Sequence, residues 1–311
     1  MNQYINSWPK QMQGRTWLAI GNFDGVHLGH QLLFERLRYE AEEDGSQAGV
    51  LTFHPHPRVF LQNISSRFYL TEPEEKIDLL REAGISNNYC IPFDRALANL
   101  SSEAFFARLL EHFALRGLVV GEDFVLGKNR SGTMDVISGI CERKNIRLVQ
   151  MPAVAYRHKR ISSSRIRQVL VDGNVQLAAS LLGRYYSVHG KVLPGKKLGR
   201  KLGLPTANVI ASPSKVLPRY GIYATWAYVQ GKKLAGVTSV GVRPTVEVNG
   251  KPIIETLLLN FDDNIYNQDL KVEFVQFLRD EIKFPNLEAL AHQIEKDRDQ
   301  AGRILNHDTH P

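Results

Sequence analysis

The sequence predicts an α/β protein. Its N-terminal half reads as a parallel sheet with helices on both faces, and its C-terminal half as a small antiparallel β-barrel followed by one helix. Three observations carry that expectation. Up to about residue 172, short apolar runs alternate with segments of helical period, and a βαβα order of this kind builds a parallel sheet covered by helices. From about residue 185 the texture changes to β-rich segments punctuated by Gly and Pro, the pattern of a small barrel. Near the end, Leu287, Leu290, Ile294 and Ala301 fall near helical spacing, which gives a single helix to pack against that barrel.

In the first half, strands are expected at 17–20, 50–53, 89–93, 118–120 and 147–151, with helices at 30–43, 74–83, 102–113 and 135–145. Leu33, Leu37 and Ala41 share one face of the first helix. In the second half, strands are expected at 185–192, 221–229, 233–240, 255–261 and 271–278, and the closing helix over 287–304. Between the halves, Gly173 and Gly183 flank a short apolar helix. The boundary is set there, giving domains 1–183 and 184–311.

A chain of 311 residues, 43% hydrophobic and 23% charged, has room for two modest cores. Its net charge of +7 suits an anionic partner, which leaves nucleic acid, membrane surfaces and polyphosphate substrates all open. No stretch approaches the ~18 apolar residues of a spanning helix, and residues 1–6 show no basic region leading into an apolar run. A cytoplasmic protein without a membrane partner is expected. Cys90 and Cys141 stand far apart, with no second Cys or His at zinc-ligand spacing, and read as reduced, structural residues.

The strongest local signal is Gly21-Asn22-Phe23-Asp24-Gly25-Val26-His27-Leu28-Gly29-His30. It follows the first expected strand and runs into the first expected helix. Such a junction aims backbone N–H groups and the positive helix end at a phosphate. The glycines let the backbone come close, and two histidines can donate to phosphoryl oxygens. Helix capping and metal binding are the alternative uses of His27 and His30. The segment is neither G-x-G-x-x-G nor G-x-x-x-x-G-K-[ST]. Later, Ile161-Ser162-Ser163-Ser164-Arg165-Ile166-Arg167 places three serines before a helix, as N-caps, as phosphate ligands or as both. In the second half, Gly195, Gly199 and Gly203 interleave with Lys196, Lys197, Arg200 and Lys201 ahead of Pro205-Thr206-Ala207-Asn208. That loop suits covering a triphosphate, or is a solvated basic hairpin.

The first segment resembles the H-x-G-H signature of the nucleotidyltransferase superfamily, and its full run is similar to the bacterial bifunctional riboflavin kinase/FAD synthetase family. Thr52-Phe53-His54-Pro55-His56-Pro57 and the run from Gly121-Glu122-Asp123-Phe124 to Gly132 also match, with His54 where Asp is usual and Leu126 where Phe is usual. Pro205-Thr206-Ala207-Asn208, Tyr220-Gly221-Ile222-Tyr223-Ala224, Gly241-Val242-Arg243-Pro244-Thr245, Ile254-Glu255-Thr256 and the segment 278–284 resemble the riboflavin kinase part.

The resemblance implies a Rossmann-like nucleotidyltransferase domain that adenylylates FMN to FAD, and a riboflavin kinase barrel that makes FMN from riboflavin and ATP. Gly21, Asn22, Phe23, Asp24, Ser163, Ser164 and Arg167 would bind ATP in the first, with His27 and His30 catalytic and Asp123 on the flavin. Gly195, Gly199, Thr206 and Asn208 would bind ATP in the second, with Thr206 on Mg2+ and Glu255 as general base. Leu257, Asn260, Ser239 and Asn267 stand where His, Asp, Asn and Gly are usual. An enzyme that only adenylylates FMN, with a weak or flavin-binding kinase-like domain, is the alternative. A nucleic-acid partner is not expected, because the cations interleave with glycines and lack a stacking pattern of aromatics. A monomer or weak homo-oligomer acting on small molecules is.

Overall fold

The computed structural model describes residues 2–5, 7–10, 14–193, 206–242, 252–261 and 263–308. Packing divides the chain into two units, one of Met1–Ser65 with Tyr69–Ser163 and the other of Ser66–Phe68 with Ser164–Pro311.

Six described strands make the main sheet of the first unit: β1 (Asn2–Ile5), β2 (Arg15–Ile20), β3 (Gln47–His54), β4 (Asn87–Pro92), β5 (Ala114–Gly121) and β6 (Arg147–Met151). They form one parallel sheet in the order β1-β4-β3-β2-β5-β6. Its helices include α1 (Leu28–Glu43), α2 (Pro57–Gln62), α3 (Pro73–Glu82), α4 (Arg95–Ala98), α5 (Ser102–His112) and α6 (Met134–Arg143).

Successive side chains of a strand point to opposite faces. Trp17 and Ala19 accordingly pack with Leu33, Phe34 and Leu37 of α1 and Leu80 of α3. Leu18 and Ile20 pack with Phe105 and Leu109 of α5 and Ile137 and Ile140 of α6. Both faces are covered, as expected, and each fully buried Leu or Phe contributes about 1.5–3 kcal/mol relative to exposure. Gly117 is required beside this core, because a Cβ there would lie 2.5 Å from the Trp17 ring. Cys90 and Cys141 are free and buried, and burial pushes the Cys141 thiol up to about 11, which keeps it inert.

The strand order reverses at β2: β3 and β4 lie to one side of it, β5 and β6 to the other. The crevice outside the C-terminal ends of β2 and β5 is where open α/β sheets bind ligands. Residues 21–27 leave β2 there, and residues 122–126 leave β5.

The second unit contains α7 (Ser163–Val171), whose first residue counts with the other unit, then α8 (Val175–Leu182) and six strands. These are β9 (Tyr186–Leu193), β10 (Thr206–Ile210), β11 (Gly221–Val229), β12 (Lys232–Val242), β13 (Pro252–Leu258) and β14 (Asp269–Arg279). They close into a barrel in the order β10-β13-β12-β11-β14-β9, all antiparallel. A two-residue hairpin pair, β7 (Ala155–Tyr156) and β8 (Lys159–Arg160), lies in the first unit. The closing helix, α9 (Leu287–Asn306), lays Ala301 and Leu305 against Ile222, Ala224, Val237 and Leu257 of the barrel wall. Its buried Asp297 accepts from Arg279 Nη2 at 2.6 Å and Nε at 2.9 Å, fixing helix to strand.

Two expectations shift. Ala179 of α8 packs with Tyr185 and Ile222, so by packing 164–183 go with the barrel and the units part ahead of 183/184. The first helix begins at Leu28 rather than 30, because His27 Nδ1 caps it by accepting from His30 N at 3.3 Å. Four of the described strands escape the sequence pattern altogether, among them the two-residue β7 and β8. β1 is a four-residue edge, and β10 lies inside a segment read only as a phosphate-binding signature.

Candidate active sites

Residues 21–27 form a strained loop. Phe23 and Val26 have φ of 47° and 41°, which is uncommon for any residue with a Cβ and a genuine outlier for a β-branched one. Such strain persists only where surrounding contacts over-determine it. Here they do. Gly21 N donates to Leu51 O at 3.1 Å. The Asp24 carboxylate accepts from Leu70 N at 3.0 and 3.1 Å, from Thr71 N at 3.0 Å and from the Thr71 hydroxyl at 3.2 Å. Gly25 N donates to Thr71 Oγ1 at 3.1 Å. Lys76 Nζ donates to the Asn22 carbonyl at 2.9 Å, and Ser163 Oγ to the Asp24 carbonyl at 2.8 Å. Gly21 cannot carry a side chain, since a Cβ would lie 2.8 Å from the Phe23 ring.

The loop delivers its expected residues unequally. His27 and His30 come together, with rings stacked at a centroid distance of 3.5 Å at the N-terminus of α1. Among the described residues Asn22 Oδ1 has no hydrogen-bond partner although it is buried, an acceptor left for a donor. Asp24, only 1% exposed, spends its carboxylate on the chain at 70–71, so it shapes the loop from behind. Phe23 turns its ring into the core against Phe34 and His30. Asp123, exposed just beyond β5, pairs with Arg160 at 2.7 Å.

Ser164 and Arg167 belong to the second unit by packing. Arg167 Nε donates to Phe68 O at 2.6 Å, and its guanidinium lies 4.0 Å from the Phe68 ring centroid. In the same unit, Thr206 and Asn208 of β10 face β13, where Asn208 is in register with Glu255. The Thr206 hydroxyl donates to Glu255 Oε1 at 2.5 Å. Gly195 and Gly199 lie outside the described residues. Of the substituted positions, Leu257 is buried in the cluster beneath α9. Asn260 and Asn267 have φ of 55° and 63°, a left-handed backbone that Asn adopts more readily than other residues with a Cβ.

Sequence reasoning missed Thr71 and Lys76, which hold the first loop. For Lys76 a signal existed: with Ile77 and Leu80 it shares the buried face of α3, where a Lys is out of pattern. Thr71 gave none. Among the described residues no group of three or more His, Cys, Asp or Glu is arranged to hold a metal, and no helix is long and apolar enough to cross a membrane.

Comparison with known proteins agrees with both halves. Residues 9–165 match the family model described as FAD synthetase, and residues 182–305 the one described as riboflavin kinase. A Bacillus subtilis protein named bifunctional riboflavin kinase/FMN adenylyltransferase is 36% identical over 300 residues, covering 96% of this chain and 95% of the relative. One of the same name from Haemophilus influenzae is 37% identical over 292 residues, covering 93% and 94%. A crystal structure described as a macrolide-efflux protein from Streptococcus pneumoniae superposes with a TM-score of 0.84 at 28% identity, over 93% of this chain and 94% of that one. With both family domains in order and relatives matched nearly end to end, this chain belongs to the bifunctional riboflavin kinase/FMN adenylyltransferase family.

Proposed function

We propose that this chain makes FAD from riboflavin in two ATP-dependent steps, the barrel phosphorylating riboflavin and the sheet unit adenylylating the resulting FMN. The observation that carries this reading is the presence of both family domains in one chain.

In the first step the terminal ribityl hydroxyl attacks the γ-phosphorus of ATP and ADP departs. Glu255 takes the hydroxyl proton as general base, a role worth about 10²–10⁴ in rate. The Thr206 hydroxyl orients that carboxylate, and Asn208, in register with Glu255, lies beside the phosphates. Gly195 and Gly199, outside the described residues, would bind them. The Thr206 hydroxyl gives its proton to Glu255 and keeps its oxygen lone pairs for Mg2+, an ion that takes most of its shell from water and phosphate oxygens. When bound, it neutralises phosphate charge during transfer.

In the second step an FMN phosphate oxygen attacks the α-phosphorus of another ATP and pyrophosphate departs. No protein nucleophile is needed; positioning and charge stabilisation supply the catalysis. His27 and His30 donate to phosphoryl oxygens beside the positive end of α1, and the backbone of 21–24 cradles them. Ser163, Ser164 and Arg167 serve the β- and γ-phosphates, and Asp123 the flavin. This division of labour assigns 1–183 to adenylylation and 184–311 to phosphorylation.

The test is to incubate purified protein with riboflavin, ATP and Mg2+ and resolve the flavins by chromatography. FMN and FAD should both appear, and chelating the metal should stop both. Glu255→Gln should lower FMN formation by about 10²–10⁴ while still converting supplied FMN to FAD. His30→Ala should do the reverse. FAD formed from supplied FMN with none from riboflavin would leave adenylylation alone standing.

A further inference from the structure

Lys76 lies on the inward face of α3, 8% exposed, a depth at which a lysine is rare unless its ammonium is compensated. Its Nζ makes one bond that explains its direction, to the carbonyl of Asn22 at 2.9 Å. The Asp24 carboxylate attracts it, and Cys90 does so more weakly, while burial opposes the charge. The same ammonium is felt at His54, at the C-terminal end of β3.

Its bond falls at the residue before the first strained position, Phe23, and its counter-charge at the residue after. The loop thus has one carbonyl tied to Lys76 and the next carboxylate tied to 70–71. A packed methylene chain would fill this space more cheaply. A buried ammonium reaching a backbone oxygen instead fixes the peptide plane between Asn22 and Phe23, and with it the direction of the following N–H.

We propose that Lys76 is a positioning residue for adenylyl transfer: its buried ammonium locks the Asn22 peptide so that the strained loop presents the Phe23 N–H to the nucleotide phosphates. The inference rests on the adenylylation reading above. Lys76 touches the loop from behind and does not touch substrate. Its removal therefore acts on nucleotide binding through the loop and leaves flavin binding and the barrel alone.

The experiment compares full-length wild type, Lys76→Met, Lys76→Arg and Leu80→Ala. Leu80 is a buried residue of the same helix that packs in the core, so its variant controls for destabilisation of α3. Thermal unfolding shows which preparations are folded at the assay temperature. Lys76→Met should raise the KM for ATP in FAD formation at least tenfold, with the KM for FMN and riboflavin phosphorylation within twofold of wild type. Lys76→Arg should recover part of the ATP KM, and Leu80→Ala should lower stability without moving it. Hydrogen exchange at 21–26 should quicken in Lys76→Met beyond the change in Leu80→Ala. Equal ATP KM values in Lys76→Met and Leu80→Ala, beside a working wild type, would overturn the inference alone. A wild type unable to adenylylate FMN would instead sink the functional reading and this inference with it.

Discussion

Asp24→Asn is the sharpest test of how the first loop is held. The substitution keeps side-chain volume, removes one charge and exchanges an acceptor oxygen for an NH2. Leu70 N–H approaches both carboxylate oxygens, at 3.0 and 3.1 Å, while Thr71 gives Oδ1 both its N–H and its hydroxyl. With the amide oxygen at Oδ1, the new NH2 points at the Leu70 donor; turned the other way, it meets both Thr71 donors. Three bonds each lose about 1 kcal/mol of charge assistance. The buried Lys76 ammonium also loses an anion that offsets its burial, bringing the total to about 4 kcal/mol. For a unit of this size that lowers the Tm by about 8–16 °C. Differential scanning calorimetry of the full chain reads the shift, and parallel flavin assays should show FAD formation down at least tenfold with riboflavin phosphorylation unchanged. A Tm within about 3 °C of wild type, with FAD formation intact, would refute the account of Asp24 as the anchor of the loop.

Other expectations concern pH and the barrel interior. Burial, reinforced by the Lys76 ammonium, holds the His54 imidazole below its ordinary value of 6.5. The unfolded chain therefore takes up the extra proton first as pH falls, so this contribution is complete above pH 6.5 and lost progressively below it. Urea midpoints should drop between pH of about 7.5 and 5.5, and His54→Asn should flatten the drop; parallel profiles would contradict the assignment. Inside the barrel, Thr225, Thr238 and Thr256 are wholly buried and their hydroxyls run in a row, 2.8 and 2.9 Å apart. Thr238→Val strands the two outer hydroxyls and should cost about 2–4 kcal/mol in urea unfolding. Replacing all three by Val should cost less than the single change, and the opposite order would show that the row carries no energetic coupling.

How much of this was legible in the sequence depended on the range of the interaction. Trp17 to Ile20 and Leu118 to Val120 announced central strands because a strand buried on both faces must be apolar throughout. The first loop was legible from local spacing, since strand, glycines and histidines are contiguous. Its anchoring was not: Asp24 meets Leu70 and Thr71, 46 and 47 positions away, and read as a phosphate-loop residue until those partners were placed. Thr206 and Glu255, 49 positions apart, were known to belong together only through resemblance; the register of β10 on β13 supplies the physical reason. Strand β10 itself went unread because five residues after a Gly-rich run give too little alternation to count. Asn260 and Asn267 looked like departures in sequence and are conformationally apt where the backbone turns left-handed.

The buried threonine row also bears on how the barrel finds its pairing. The inward positions of β12 are Gly236, Thr238 and Val240, facing Leu258, Thr256 and Ile254 of β13. A one-residue slip is rejected by the hydrophobic pattern, which would turn inside out. A two-residue slip is not, since every inward position would remain inward. It would, however, set Thr238 against Leu258 or Ile254 and leave hydroxyls facing hydrocarbon, at a penalty of about 1–3 kcal/mol each. The three hydroxyls thus act as a key cut into an otherwise interchangeable set of aliphatic contacts. They select one alignment of β11 on β12 and of β12 on β13, so a polar seam deep in the interior sets the register of the strand that carries Glu255.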